Sequence, residues 1–582
     1  MVGAFFRFDE IMGSFKVSIL ISPHPHFDLI MPQTFFTVRL FALATILLSL
    51  AGQAGRAQAP VWQMATAAVG QGIAPSISMV NATAADAADN VYIAGEFEGT
   101  IKFGTTVLTA APGNNGFVAK WSPASSSFVW ASRAGGPVTA LAVTGAGVFI
   151  AGNFTSTAAF GSISLVGAAN KDGFVAKLTN AAATTDYAWA TRLGGNDVDK
   201  ASAIAVEGSK VYVAGSFSSA VSFGSNLLIS AGSHDAYVVQ LADAGNAGTV
   251  AWARQMGGTD TDEAVAVKVN GANIYVAGNA TGTASFGTTT LTSGTTYPAF
   301  TFLAKLTDTG NFGWIQQGIG SINAKALAAS GNNLYLAGNF SGNANFGNIA
   351  LTGGFSGIFV AKLTDAGATS NFSWAQGAGG SNALALACRG ANIYVGGVFS
   401  GSAAFGTTQI TGSGDQLFVA KLLDSGATST WNWAQQASGK TSVYNRTTGL
   451  AISNSNQVFV GGTVGTVASF GALTIAGPSS ISGFLASLTD QTLTGTMQAG
   501  ALEGLAVYPN PAHGRATIQL PALPGATTAT LTLLDALGRT LRTQTAALNA
   551  KAELDLAGLP AGLYAVRVQA GGSTTTRRLV VE

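Results

Sequence analysis

Val211-Tyr212-Val213-Ala214-Gly215-Ser216-Phe217, then Phe223-Gly224, then Tyr237-Val238-Val239-Gln240-Leu241 and Trp252-Ala253 form a sentence that this chain writes seven times. The Phe-Gly step returns at Phe103, Phe160, Phe223, Phe286, Phe346, Phe405 and Phe470, at intervals of 57, 63, 63, 60, 59 and 65 residues. A period this long marks a repeat architecture in which each unit is one supersecondary element. Within a unit the apolar residues alternate, as in Phe359-Val360-Ala361-Lys362-Leu363, and helical spacing is missing. Each unit therefore reads as short antiparallel strands. Four are expected: an Ala-rich strand such as Ser202-Ala203-Ile204-Ala205-Val206, the Tyr-x-Ala-Gly strand, the Phe-Val-Ala-Lys-Leu strand and the Trp-Ala strand. Four strands per repeat is the make-up of a propeller blade.

The phase of the repeats decides between an open stack and a ring. The last unit ends at Phe484-Leu485-Ala486-Ser487-Leu488 with no Trp strand behind it, whereas Val61-Trp62-Gln63-Met64-Ala65 stands ahead of the first Tyr strand, Val91-Tyr92-Ile93. Trp62, Trp130, Trp189, Trp252, Trp314, Trp374 and Trp433 then make a full set. An open solenoid would leave both ends incomplete, while a ring lets the N-terminal strand finish the last unit and hide its edge. The expected fold is all-β: a seven-bladed β-propeller over residues 58–490, closed by an N-terminal strand. The Ala-rich strands fit the crowded inner end of each blade, and each buried Phe or Trp further out contributes about 1.5–3 kcal/mol. These repeats resemble the bacterial β-propeller repeats described as SBBP-like, in the form Tyr-x-Ala-Gly, Phe-Val-Ala-Lys-Leu, Trp-Ala…Gly-Gly. That resemblance speaks to fold and is nearly silent on function.

Of 582 residues only 9% are charged, with 28 Lys and Arg against 27 Asp and Glu, a net charge of +1. Nucleic acid is excluded as a partner, because phosphate binding needs clustered cations that the repeats lack. The single Cys388 ends an Ala-rich strand, so it forms no intrachain disulfide and reads as a small buried filler.

Residues 1–30 have no clear period and read as an upstream extension, disordered or untranslated. From Met31, Arg39 supplies a positive region, Leu40 to Leu50 an apolar one, and Ala57 a small-residue cleavage position, so 31–57 reads as a signal peptide. Its uncharged run of about a dozen residues is short of the roughly 20 needed to span a bilayer, so no transmembrane anchor is expected in the mature chain. A linker at 491–503 leads to a segment of about 80 residues at 504–582, richer in Arg, which reads as a small Ig-like β-sandwich. There, Tyr508-Pro509-Asn510-Pro511, Asp535-Ala536-Leu537-Gly538-Arg539, Leu559-Pro560-Ala561-Gly562-Leu563-Tyr564 and Arg578-Leu579-Val580-Val581 occur in order. The segment resembles the type A C-terminal sorting domain of the bacterial type IX secretion system. The resemblance implies the type IX machinery as partner and passage through the periplasm, with release or attachment at the outer surface. Arg577-Arg578 stand where the usual tail lysine would be, with Glu582 last.

Chemistry is sparse. His234, the one histidine of the repeats, lies in a turn and supports no triad. Two turns entering Ala-rich strands carry acids, Asp197 and Asp199 in one, Asp260, Asp262 and Glu263 in the other. Read functionally they are a ligand or Ca²⁺ site, since that ion takes 6 to 8 oxygens; read structurally they cap tight turns. No other cofactor is called for. Lys120, Lys177, Lys305, Lys362 and Lys421 alternate behind Phe-Val-Ala and read as solvated strand tips. The leading function is an exported binding or adhesion scaffold with glycans or surface proteins as ligands. The alternatives are a secreted polysaccharide-degrading enzyme on the same scaffold and a matrix component without a ligand.

Overall fold

The computed structural model describes residues 59–493 and 505–582, apart from 72–75, 114, 169, 180–184, 295–298, 355, 440–443, 522–526, 536–538 and 571–572. The upstream extension, the signal peptide with Ala57 and most of the linker lie outside the described residues. Among those described, every regular element is a β-strand.

One repeat shows how the sequence builds the rest. Lys200–Glu207 pairs with Lys210–Phe217, which pairs with Asp235–Asp243, which pairs with Gly248–Gly258, all antiparallel. A fifth and sixth strand were not expected: Ala220–Phe223 and Asn226–Ile229 form a short hairpin between the second and third strands. The Phe-Gly step makes this hairpin. Phe223 pairs with Asn226 across a two-residue loop, and Gly224 takes a φ of +61° at its first position, the place where a type II′ turn needs glycine. The phenylalanine packs back on the aromatic residue of the third strand, with ring centroids 4.7 Å apart for Phe223 and Tyr237, 4.9 Å for Phe346 and Phe359, and 5.0 Å for Phe470 and Phe484. Phe and Gly recur as a unit because one anchors the hairpin and the other turns it.

The N-terminal strand Trp62–Ala67 pairs antiparallel with Leu473–Thr489, placing Trp62 opposite Leu488 and Ala67 opposite Phe484. Trp62 is buried, donates from Nε1 to the Gln436 carbonyl at 3.2 Å, and meets Phe470 edge-on at 5.1 Å. The Ala-rich strands pack on one another in chain order, from Ile77–Ala85 through Val138–Thr144, Lys200–Glu207 and Glu263–Asn270 to Arg446–Ile452, and Arg446–Ile452 packs in turn on Ile77–Ala85. Residues from both termini of the repeat region share one core, where Phe459 and Leu485 join Val80, Ile93 and Trp121.

The C-terminal segment forms two sheets. Ala506–Tyr508, Arg515–Leu520 and Ala550–Asp555 make one; Thr540–Ala547, Thr528–Leu534, Gly562–Ala570 and Ser573–Val581 make the other. Their inner faces enclose Ile518, Leu531, Leu533, Val566, Val568 and Leu579, all fully buried.

Candidate functional site

The acid-bearing turns are built inward rather than outward. Asp199 is buried and accepts from the backbone amides of Gly195 at 2.5 Å and Ser218 at 3.4 Å. Asp262, in the equivalent turn, is buried and accepts from Gly258 at 2.7 Å and Thr281 at 3.1 Å. Burial pushes both carboxyls up to about 6, against the opposing pull of those amides. The backbone amides of Asp199 and Asp262 also bond the carbonyls of Lys171 and His234 in the preceding turn, so His234 serves the turn itself. Asp197 is half-buried and Asp260 exposed, while the Glu263 carboxylate accepts from the Asn279 side chain at 3.3 Å. The five residues are thus distributed over two separate turns, and among the described residues no group of three or more His, Cys, Asp or Glu could hold a metal ion. Cys388 has its thiol pushed up to about 12 by burial.

The lysines do not lie where their alternation suggests. Lys120, Lys177, Lys305, Lys362 and Lys421 are all buried, and Lys421 has no exposed surface. The expectation of solvated tips fails because the third strand of each repeat is covered on both faces: every residue of Asp172–Leu178 is buried. Four of these lysines reach an aspartate of the following repeat. Lys177 meets Asp243 at 2.6 Å, and Lys305, Lys362 and Lys421 meet Asp365, Asp424 and Asp490 at 2.7 Å each. The same carboxylates gather neutral donors from the preceding repeat. Asp365 accepts from Tyr275 Oη at 2.7 Å and Trp314 Nε1 at 3.0 Å; Asp424 accepts from Tyr335 Oη at 2.7 Å and Trp374 Nε1 at 3.0 Å. Burial alone would raise these aspartates, but the lysine, tyrosine and tryptophan bonds outweigh it and hold Asp365 and Asp424 below the ordinary carboxylate value.

The exceptions follow the same chemistry. Gln240 replaces the lysine in one repeat and donates to Tyr212 Oη at 2.9 Å and to the Asp308 carbonyl at 3.2 Å. The Asp308 carboxylate, released, turns to the half-exposed Lys210 at 2.8 Å. Ser487 replaces the lysine in the last repeat, and Pro123 stands where the first would carry the aspartate. That junction is filled instead by Trp121 against Phe459, centroids 5.7 Å apart. Sequence reasoning missed this clamp, although Lys362-Leu363-Thr364-Asp365 and Lys421-Leu422-Leu423-Asp424 each set a clamp lysine three residues ahead of the aspartate that receives the preceding repeat's lysine.

In the C-terminal segment, Asn510 does what its flanking prolines set it up to do. Its Nδ2 donates to the Arg578 carbonyl at 2.8 Å and its Oδ1 accepts from the Val580 amide at 2.8 Å, so one side chain occupies the edge of the last strand. Pro509 and Pro511 bracket it and Tyr508 is exposed. Tyr564 is buried with its hydroxyl donating to the Pro560 carbonyl at 2.7 Å, pinning the turn that carries the exposed Gly562.

Residues 506–582 match the family described as a secretion system C-terminal sorting domain. The chain is accordingly handled by the type IX secretion machinery, exported, and secreted or attached to the outer cell surface. No curated protein matches the chain. Among solved structures it is similar to a candidate oxidoreductase (glucose dehydrogenase) of Thermus thermophilus, at 11% identity and a TM-score of 0.30 over 60% of this chain and 95% of that one. A candidate 6-phosphogluconolactonase of Bacteroides uniformis shows 11% identity and 0.28 over 57% and 98%. The haemagglutinin-neuraminidase of parainfluenza virus 5 shows 9% and 0.28 over 75% and 95%.

Proposed function

We propose that the repeats form a seven-bladed propeller closed by the N-terminal strand and that the exported protein is a binding or adhesion scaffold. Closure is supported by the pairing of Trp62–Ala67 with Leu473–Thr489 and by contacts joining the last repeat to the first: Thr448 Oγ1 donates to the Val80 carbonyl, and Asp89 accepts from the amides of Asn454 at 2.5 Å and Ser455 at 3.1 Å. The observation that carries the binding reading is the use made of the acids. Asp243, Asp365, Asp424 and Asp490 hold lysines of the preceding repeat, while Asp199 and Asp262 hold backbone amides. A buried carboxylate committed to structure is a poor acid or base for a bound chain, since catalysis needs it within hydrogen-bond reach of the substrate.

The test is retention. Purified mature protein is applied to glycan arrays and to cells of a deletion strain, and its binding and the strain's attachment are measured. Saturable binding and an attachment defect restored by the protein support the scaffold. Wild-type attachment together with inertness on every array would refute it, and depolymerisation of a polysaccharide lost on Asp197→Asn would replace it with the enzyme.

A further inference from the structure

On the reading of the repeats as a closed ring, the Ala-rich strands line one axis, and each breaks register at the same place. One residue is extruded between Val80 and Ala82, between Ala201 and Ala203, and between Ala324 and Ala326, with equivalents in the other repeats. A β-bulge of this kind re-aims a side chain. Three extruded residues turn a polar group onto the next inner strand: Asn81 donates to the Val138 carbonyl at 3.0 Å, Thr139 to the Ala201 carbonyl at 2.7 Å, and Thr448 to that of Val80. At the same position the fifth repeat carries Lys325, half-buried.

One strand earlier stands a second cation. Lys268 lies opposite Tyr275, a position held by Ala in the other inner strands, as in Ala205 opposite Tyr212 and Ala387 opposite Tyr394. Solvent reaches Lys268, yet the protein around it lowers its pKa by desolvation, and Cys388 is its one other titratable influence. Neither lysine belongs to an ion pair found among the described residues. The seven inner strands carry Lys200, Lys268, Lys325, Arg389 and Arg446 against Glu207 and Glu263, and Glu96 of the adjoining strand offsets Arg446. These five cations exceed the three acids by two in a chain whose net charge is +1. Cations enclosed by low-dielectric walls without counter-charges focus a field that draws anions in.

We infer that the axis binds an oxyanion group, a carboxylate or sulfate ester of an acidic glycan, with Lys325 and Lys268 as its cationic contacts. This rests on the scaffold reading and names its ligand class.

The experiment uses the full mature protein at constant ionic strength, with sodium sulfate, a uronic-acid tetrasaccharide and a neutral glucan tetrasaccharide as probes, read by calorimetry and thermal shift. Sulfate and the uronate are expected to bind saturably and compete, with association at least tenfold weaker in Lys325→Met and Lys268→Met and retained in Lys325→Arg and Lys268→Arg. The arginine variants report on the site should a methionine variant fail to fold. Wild-type affinity in folded methionine variants, or no binding of either anion at millimolar concentration, overturns the inference. Sulfate binding without uronate binding leaves a free-anion site and overturns the glycan assignment. Binding of the neutral glucan, unchanged in all four variants, keeps the scaffold and removes the anion.

Discussion

Replacing Asp365 by alanine removes the acceptor for Lys305 Nζ at 2.7 Å, Tyr275 Oη at 2.7 Å, Trp314 Nε1 at 3.0 Å and the Gly367 amide at 2.9 Å. The lysine and aspartate side chains are only 10% and 4% exposed, so water does not replace what is lost. Removing one partner of a buried pair costs about 3–5 kcal/mol. At an unfolding entropy of about 2.1 cal/mol/K per residue, roughly 430 residues melting together give about 0.9 kcal/mol/K, so a loss of about 4 kcal/mol lowers the Tm by about 4–5 °C. The molecule contains its own control: Asp308 is the same residue of the preceding repeat, but its carboxylate pairs with Lys210 at the surface, with side chains 36% and 44% exposed. Asp308→Ala should therefore cost less than about 1 kcal/mol. The double variant Lys305→Met/Asp365→Leu should recover much of the single variant's loss, because an apolar pair of similar volume leaves no charge stranded. Calorimetric melting of the four proteins at pH 7.5 decides the matter. Equal costs for Asp308→Ala and Asp365→Ala would refute the clamp, as would a double variant no better than the single.

Asp199 and Asp262, raised to about 6 by burial, bind protons more tightly folded than unfolded, so their contribution is stabilising at low pH and declines as pH rises from the ordinary carboxylate value through about 6. Melting should be higher at pH 5 than at pH 7.5, and Asp199→Asn/Asp262→Asn should flatten that slope. Asp243, Asp365, Asp424 and Asp490 are lowered and work in the opposite sense: their contribution is present above the ordinary carboxylate value and lost as pH falls below it, so stability should collapse below about pH 4. Asn510→Ala deletes two 2.8 Å bonds to the last strand and should cost the sorting domain about 1–3 kcal/mol, with protein shifting from medium and surface to the periplasm on fractionation. Deleting residues 59–67 should expose the edge of Leu473–Thr489 and produce oligomers by size-exclusion chromatography, reversed by the peptide in trans.

The all-β class was legible because alternation and β-branched and aromatic residue types mark strands wherever they recur. The pairing partner of the N-terminal strand was legible too, with Trp62 lying opposite Leu488. The burial of the lysines was not legible, because alternation separates the two faces of a strand without saying whether either meets water. In a half-exposed sheet Lys362 would point out; here both faces are covered, and alternation instead assigns it to the junction where Asp424 waits. The acid turns left two readings open for a related reason. Asp199 and Asp262 have the composition of a cation site, but whether their oxygens face solvent or the amides of Gly195 and Gly258 is settled by backbone positions that the sequence does not carry. The short hairpins escaped because strands of four residues, such as Thr283–Phe286, fall below the length at which alternation is distinctive.

The clamp also explains why so few charges suffice. A stack of similar sheets risks slipping by one repeat, since hydrophobic faces of Val, Ala and Phe are nearly interchangeable between units. Lysine and aspartate make the junctions unequal: Lys305, Lys362 and Lys421 each require an aspartate ahead, whereas Gln240 meets a repeat whose aspartate has turned outward, and Ser487 corresponds to a first repeat with Pro123 at that place. A chain slipped by one unit would place the Pro123 repeat or the Gln240 repeat against the wrong neighbour and strand a buried charge, at about 3–5 kcal/mol for each pair broken. The junction without either charge is the one between the last repeat and the first, where Trp121 packs on Phe459 and Asp89 holds the turn at Asn454. Dispersion contacts and a surface hydrogen bond form without burying an unpaired ion first, so on the proposed ring the junction made last in a sequentially synthesised chain is also the one with the smallest desolvation cost.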